Sequence, residues 1–189
     1  MQYSAVKRLE DGRRYLKVST EEGTRVMVQL NGVTVVPKFS DTDDITLEVP
    51  TVQGIVDIDS ANLAAAKENC QEWFGREVPE KTLEAAYTSS LKDTTMNVSK
   101  ATVNGRVMTR VYGPDKSLMD SDDLTEMQKC NVILEYSGLW FAKKTFGPIW
   151  RLAQIRVKGQ PKPVYPEEYM FQEDESEDEN EKDNDSDYI

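Results

Sequence analysis

The chain has 189 residues, with 34 acidic and 23 basic side chains, a net charge of −11 and no histidine. That length can bury one sizeable core. The absence of histidine excludes Ser–His and Cys–His nucleophile pairs and the usual zinc ligand sets.

The first 58 residues read as strands. Tyr3–Leu9 and Arg14–Val18 flank Asp11-Gly12, a hairpin turn signal, and Arg25–Leu30 and Val33–Val36 flank Asn31-Gly32, a second one. Ile45–Val49 and Gly54–Ile58 follow as strand candidates around Pro50. The period then changes. Leu63, Ala66, Cys70 and Trp73 or Phe74 recur at helical spacing, with Asp59 or Ser60 as N-cap and Gly75 past the end. A second helix starts with Pro79 at its first position and turns Leu83, Ala86, Tyr87 and Leu91 inward. Strand period returns in Thr94–Val103 and Arg106–Tyr112, around Asn104-Gly105. A polar loop from Gly113 to Lys129 carries a short helical turn near Leu124. Asn131–Lys144 and Ile149–Lys158 form the last pair, joined by Thr145-Phe146-Gly147-Pro148.

Pro161, Pro163 and Pro166 then mark an extended linker, so the expected division is a domain over 1–160 and a tail over 161–189. The tail holds the charge. Residues 167–189 carry 12 of the 34 acids and one base, Lys182, leaving 22 acids and 22 bases in residues 1–166. The run EDESEDENEKDNDSD cannot build a core and is expected to be disordered. It closes on Tyr188–Ile189, an apolar hook out of character with what precedes it.

Strands, then helices, then strands predict a mainly β fold with a helical insertion: an OB-fold-like antiparallel barrel, with a β-sandwich carrying a helical insert as the alternative. Cys70 and Cys130 are far apart and belong to no CxxC pair, which reads as buried thiols in a reducing compartment. The start has no apolar signal region, and no run reaches the ~20 apolar residues of a membrane span. These features point to an intracellular protein with no membrane partner. No metal or other cofactor is expected. Asp120, Asp122 and Asp123 lack the spacing, the glycine and the distal glutamate of a calcium loop.

Alternation sorts the strands into faces. Arg13, Tyr15 and Lys17 oppose Arg14, Leu16 and Val18; Arg25, Met27 and Gln29 oppose Val26, Val28 and Leu30. Arg106, Met108, Arg110 and Tyr112 oppose Val107, Thr109 and Val111; Trp150, Gln154, Arg156 and Lys158 oppose Ile149, Ala153, Ile155 and Val157. These outer faces carry bases and aromatics and no acid. Single-stranded nucleic acid needs that mixture, since cations follow phosphates and flat rings accept unstacked bases. Ordinary solvent-facing strand residues account for any one strand equally well. Near the end of its strand, Leu139-Trp140-Phe141-Ala142-Lys143-Lys144 sets two aromatics beside two lysines, one ring facing the core and the other outward.

The stretch ILEYSGLWFAKKTFGPIWRLAQIRVKG (133–159), followed by a proline linker and an acidic tail, resembles the single-stranded DNA-binding proteins of nucleocytoplasmic large DNA viruses. These are similar to the replication proteins of short-tailed phages. The resemblance implies an OB-fold core that binds single-stranded DNA and a tail that contacts replication partners such as a polymerase, primase or helicase. Trp140, Lys143, Lys144, Trp150, Arg151 and Arg156 fall in the matching stretch. The phage proteins end on an aromatic, whereas here Tyr188 is penultimate.

The expected DNA-binding set is Arg13, Tyr15, Lys17, Arg25, Arg106, Arg110, Tyr112, Trp140, Lys143, Lys144, Trp150, Arg156 and Lys158, with Asp185, Asp187, Tyr188 and Ile189 as the partner-binding tail. The expected function is non-catalytic single-strand binding in viral DNA replication, recombination or repair, at viral replication sites in the host cytoplasm or nucleus, with the virion as a further location. A homodimer stays open. The alternative is an acidic-tailed virion or chaperone-type interaction protein.

Overall fold

Two long strands, Lys129–Phe141 and Phe146–Val157, organise the molecule. The computed structural model describes residues 1–36, 43–50, 52–124 and 127–159. The linker and tail expected over 161–189, with Asp185, Asp187, Tyr188 and Ile189, lie outside the described residues. In chain order the strands are β1 (Gln2–Tyr3), β2 (Lys7–Arg8), β3 (Arg14–Ser19), β4 (Val26–Val35), β5 (Asp44–Glu48), β6 (Thr95–Lys100), β7 (Thr102–Val103), β8 (Arg106–Val107), β9 (Arg110–Tyr112), β10 (Leu118–Met119), β11 (Lys129–Phe141) and β12 (Phe146–Val157). Helices α1 (Gln53–Glu68), α2 (Cys70–Phe74) and α3 (Glu80–Ala86) stand between β5 and β6.

β11 pairs with β4, β4 with β5, β5 with β6, β6 with β12, and β12 with β11. Five strands therefore close on themselves, which removes free edges inside the ring. Every seam of the ring is antiparallel except β6–β12. The fold is thus a mainly β, OB-like barrel with a helical insertion, and the closed ring replaces the sandwich alternative. β3 continues the sheet beyond β4, pairing with residues 138–141 of β11, and β9 runs parallel to β12.

Alternation fills the barrel. Leu30, Val33 and Val35 of β4, Ile45 and Leu47 of β5, Met96 and Val98 of β6, and Val132, Leu134 and Tyr136 of β11 are all buried. Each such side chain contributes about 1.5–3 kcal/mol by leaving water. Inward parity on β11 then switches to Leu139 and Phe141, because Ser137 is an extra residue between the pairs Tyr136↔Trp150 and Gly138↔Ile149. Gly138 permits the switch. Its φ is +148°, and a Cβ there would lie 1.9 Å from the Leu16 carbonyl oxygen.

Helix α1 turns Ile55, Asp59, Asn62, Ala65 and Ala66 inward. Its two polar members are fully engaged. Asp59 accepts from the Tyr87 hydroxyl (2.7 Å), the Ser89 hydroxyl (2.9 Å), and the Ser90 backbone N–H (2.9 Å) and hydroxyl (2.6 Å). Asn62 Oδ1 accepts from the hydroxyls of Tyr3 (3.0 Å) and Tyr136 (2.5 Å), and its Nδ2 donates to Tyr87 (3.0 Å). An aromatic layer seats α2 beside this node. Trp73 packs on Tyr3 and Phe141, and Phe74 on Phe141 and Phe146. Gly75, at φ +72°, ends α2.

Four local expectations are corrected. Gly54–Ile58 is the first part of α1 rather than a strand, and the helix begins after Val52, not at Asp59 or Ser60. A short apolar run does not distinguish the two periods. Asn31-Gly32 lies inside the continuous strand β4 as a bulge: Gly32 is the extra residue opposite Cys130 and Asn131, and its N–H donates to Asn131 Oδ1 at 3.1 Å. Asn-Gly supplies a left-handed residue, which serves a bulge as well as a turn. The two long strands expected around Asn104-Gly105 are broken. β7 and β8 form their own small hairpin, while the Thr109 hydroxyl joins Ala101 N–H and the Leu152 carbonyl before β9 begins. Finally, Trp150 is buried rather than outward. Ala153 is an extra residue between Gln154, opposite Ile133, and Leu152, opposite Leu134, so parity reverses within β12. The Trp150 indole N–H donates to Ser90 Oγ at 2.8 Å and its ring lies 5.1 Å from Tyr136.

Gly138→Ala should destabilise by roughly 3 kcal/mol or more, since it combines a strained φ with a clash against backbone. A thermal melt followed by circular dichroism should fall by about 10 °C; an unchanged melt would remove the close-approach argument. The tyrosines give a second expectation. Burial pushes Tyr3 up to about 12 and raises Tyr87 and Tyr136 further. Their folded values lie above the unfolded value near 10. The folded state therefore keeps protons that the unfolded state loses, and stability present below about pH 10 declines as pH rises toward 12. Urea midpoints between neutral pH and pH 11 should fall, and Tyr3→Phe should soften the fall; a flat profile would contradict it.

Candidate nucleic-acid interface

The outward face of β11 forms the middle of a surface that four other strands extend. From Trp140 to Asn131 it covers roughly 30 Å at about 3.3 Å per residue. Register assigns each neighbour. Trp140 stands opposite Tyr15 of β3, and Gly138 opposite Lys17. Glu135 lies between Met27 of β4 and Arg151 of β12; Ile133 between Gln29 and Gln154; Asn131 between Asn31 and Arg156. β9 adds Arg110 beside Gln154 and Tyr112 beside Arg156.

Two concavities mark this surface. A groove of about 520 Å³ is lined by Tyr15, Lys17, Arg25, Glu135, Ser137, Ile149 and Arg151, among others. A hollow of about 180 Å³ holds Gln29, Tyr112, Asn131, Gln154 and Arg156. Lys17, Arg25, Arg110, Arg151 and Arg156 are exposed, while Tyr15, Tyr112 and Trp140 are half-buried. Each of these three residues therefore keeps part of its surface open. Among the described residues lining the two concavities, Glu135 is the sole acid, paired with Arg25 at 3.6 Å. Sequence alternation, applied to the flanking strands, did not reveal it.

The other expected residues lie elsewhere. Arg106 sits exposed on the separate β7–β8 hairpin, beside the exposed Val103, Val107 and Met108. Arg13 is in the β2–β3 turn, where its guanidinium bonds Asp11 (2.7 Å) and holds that carboxyl below the usual range. Lys158 is exposed just past β12, its Nζ near Gly32. Lys143 and Lys144, on the β11–β12 turn, rim a different pocket of about 330 Å³ with Arg14 and Arg76, above Phe74 and Phe146. Arg14 is tied there by a bond to the Trp73 carbonyl and stacks 5.5 Å over Phe141. Trp150 is withdrawn into the core, whereas its neighbour Arg151 takes the outward position. Phe141 is the core-facing ring of its pair and Trp140 the outward one.

The described residues contain no cluster of metal-ligating side chains, and no helix among them is long and apolar enough to cross a membrane. Cys130 is buried, which pushes its thiol up to about 11 and leaves it protonated near neutrality. No disulfide or thiol site forms, since both cysteines are free and buried.

Solved structures share this fold. The single-stranded DNA-binding protein from bacteriophage Enc34 in complex with single-stranded DNA is 12% identical, with a TM-score of 0.50 over 87% of this chain and 99% of that one. A C-terminally truncated form of that phage protein matches over 86% and 98%, and a further structure of the phage protein over 90% and 97%, both at 12% identity and TM-score 0.50. At that identity the likeness is one of fold. No curated protein matches in sequence. Residues 26–173 match the model of a family of unknown function, DUF5871, and the chain belongs to that family.

Proposed function

We propose that the chain is a non-catalytic single-stranded DNA-binding protein acting in viral DNA replication, recombination or repair. The observation that carries this reading is the face along β11, where exposed Lys17, Arg25, Arg110, Arg151 and Arg156 alternate with half-open Tyr15, Tyr112 and Trp140. Cations spaced along a channel follow a phosphate backbone, and each open ring can stack one base. A barrel of this class accommodates about 4–16 nucleotides. The likeness in fold to a phage protein solved with single-stranded DNA supports the same reading. So does the resemblance of residues 133–159 to the proteins of large DNA viruses. A host-cell site, cytoplasmic or nuclear, follows from that role.

The acidic tail would modulate binding. Its negative charge, tethered to a protein with a cationic face, acts at about millimolar effective concentration as a weak competitor for that face. Once DNA is bound, Asp185, Asp187, Tyr188 and Ile189 would be available to a polymerase, primase or helicase.

Fluorescence anisotropy with single- and double-stranded DNA of equal length, across a salt series, tests the reading. Single strands should bind more tightly, with affinity falling steeply as salt rises. Lys17→Ala, Arg151→Ala and Arg156→Ala should each weaken binding and reduce the log–log salt slope by about 0.7. Trp140→Ala should cost about 1–3 kcal/mol with little change in slope. Equal, weak binding to both DNA forms would reject the proposal in favour of an acidic-tailed interaction protein. Deleting residues 173–189 should raise single-strand affinity and flatten its salt response; an unchanged low-salt titration would remove the modulating role of the tail.

A further inference from the structure

Phosphate tracking and stacking leave one group on this face without a role. Glu135 sits in the middle of it, where a carboxylate repels phosphate. Its side chain is 14% exposed, while that of its partner Arg25, 3.6 Å away, is 73% exposed. The pair is therefore lopsided: the carboxylate is fixed in the floor and the guanidinium stands in solvent. With its guanidinium already in solvent, Arg25 loses little by leaving, and the cost falls on the carboxylate, which then needs a new donor. Arg151 stands opposite Glu135 in register on the neighbouring strand.

A second observation lies two residues on. Ser137, the extra residue of the β11 bulge, lines the same groove. Its hydroxyl is buried and has no hydrogen-bond partner among the described residues. Buried hydroxyls are almost always paired, so one left unpaired in the wall of a groove keeps a hydrogen bond for a ligand to fill.

The chemistry of the two groups narrows that ligand. A carboxylate only accepts hydrogen bonds, whereas a hydroxyl both donates and accepts. Phosphate oxygens, which only accept, cannot satisfy Glu135. A base edge can. Guanine carries N1–H and the N2 amino group side by side, matching the two oxygens of a carboxylate, with the O6 acceptor next to them for a hydroxyl. Thymine offers a single N3–H flanked by two carbonyl oxygens, both of which face a carboxylate unfavourably. Adenine and cytosine place a ring-nitrogen acceptor beside their amino group, so only one good bond forms.

We propose that Glu135 and Ser137 form a base-reading subsite that selects guanine over thymine in a single strand whose phosphates run along Lys17, Arg151 and Arg156. The subsite rests on the single-strand reading above. On binding, a phosphate replaces Glu135 as the partner of Arg25, and the freed carboxylate takes the guanine edge. The face thereby combines general affinity with a preference at one position.

The test uses the full chain and two labelled strands of equal length, one of thymine alone and one with isolated guanines between thymines. The readout is the ratio of their dissociation constants by anisotropy. The wild type should favour the guanine-bearing strand about tenfold, the size expected of one bidentate base contact. Glu135→Gln should bring the ratio to within about twofold of unity while tightening thymine-strand binding, because an anion leaves the groove. Ser137→Ala should lower the ratio about threefold, with thermal melts checking that both variants fold. The wild-type ratio needs no variant. If both strands bind equally well to the wild type, or if folded Glu135→Gln keeps the preference, the subsite is overturned while single-strand binding stands. If neither strand binds at low salt, the single-strand reading fails and the subsite falls with it.

Discussion

The polar node beneath helix α1 is the constraint on which the rest of the molecule depends. Asp59 and Asn62 project from one helix and gather hydroxyls from Tyr3 near the start of the chain, Tyr87 and Ser90 after α3, and Tyr136 in β11. Ser90 passes the connection to Trp150 of β12. Buried polar groups are favourable only when fully paired. Here the partners come from three separate stretches, Tyr3, residues 87–90 and Tyr136, so the node is satisfied in one arrangement of helix, barrel and N-terminal strands. Apolar packing alone would tolerate small slips between these layers; the node does not.

That arrangement positions the outer face. With Tyr136 and Trp150 drawn inward, the residues beside them must face out, and the bulges at Ser137 and Ala153 determine which. Without the Ala153 bulge, the inward setting of Trp150 and Leu152 would carry Gln154 and Arg156 into the core. With it, Arg151, Gln154 and Arg156 all stand outside, beside Lys17 and Arg25. The bulges thus convert ordinary alternation into a row of like charge.

The legible part of the sequence was the part that obeys a simple period. β3 and β5 alternate cleanly, and Tyr15 and Lys17 opposite Leu16 and Val18 are legible from alternation alone. Asp11-Gly12 and Asn104-Gly105 do join hairpins. What was not legible follows from inserted residues and from tertiary pairing. Alternation sets Trp150 on the outer face because nothing in Arg-Leu-Ala-Gln announces a bulge. Gly54–Ile58 reads as a strand because five residues cannot reveal a helical period that becomes plain only with Asn62 and Ala66. Glu135 is hard to place because the faces of β11 depend on Ser137, whose extra position is visible only in the pairing. The lysine pair Lys143-Lys144 looked contiguous with Trp140 along the chain, yet the turn carries it to another pocket.

The change of partner along β11 has a consequence for how this surface can vary. β4 accompanies the strand as far as Tyr136 and β3 takes over at Gly138. The barrel ring needs only β4, β5, β6, β11 and β12, all within residues 26–173, which match the family model. Tyr15, Lys17 and Arg25 come from outside it. The face is therefore a composite, carried mainly by the ring and extended by β9 on one side and by the β2–β3 hairpin on the other. Substitution of Tyr15 or Lys17 therefore changes the charge and reach of the face without touching the closure of the ring.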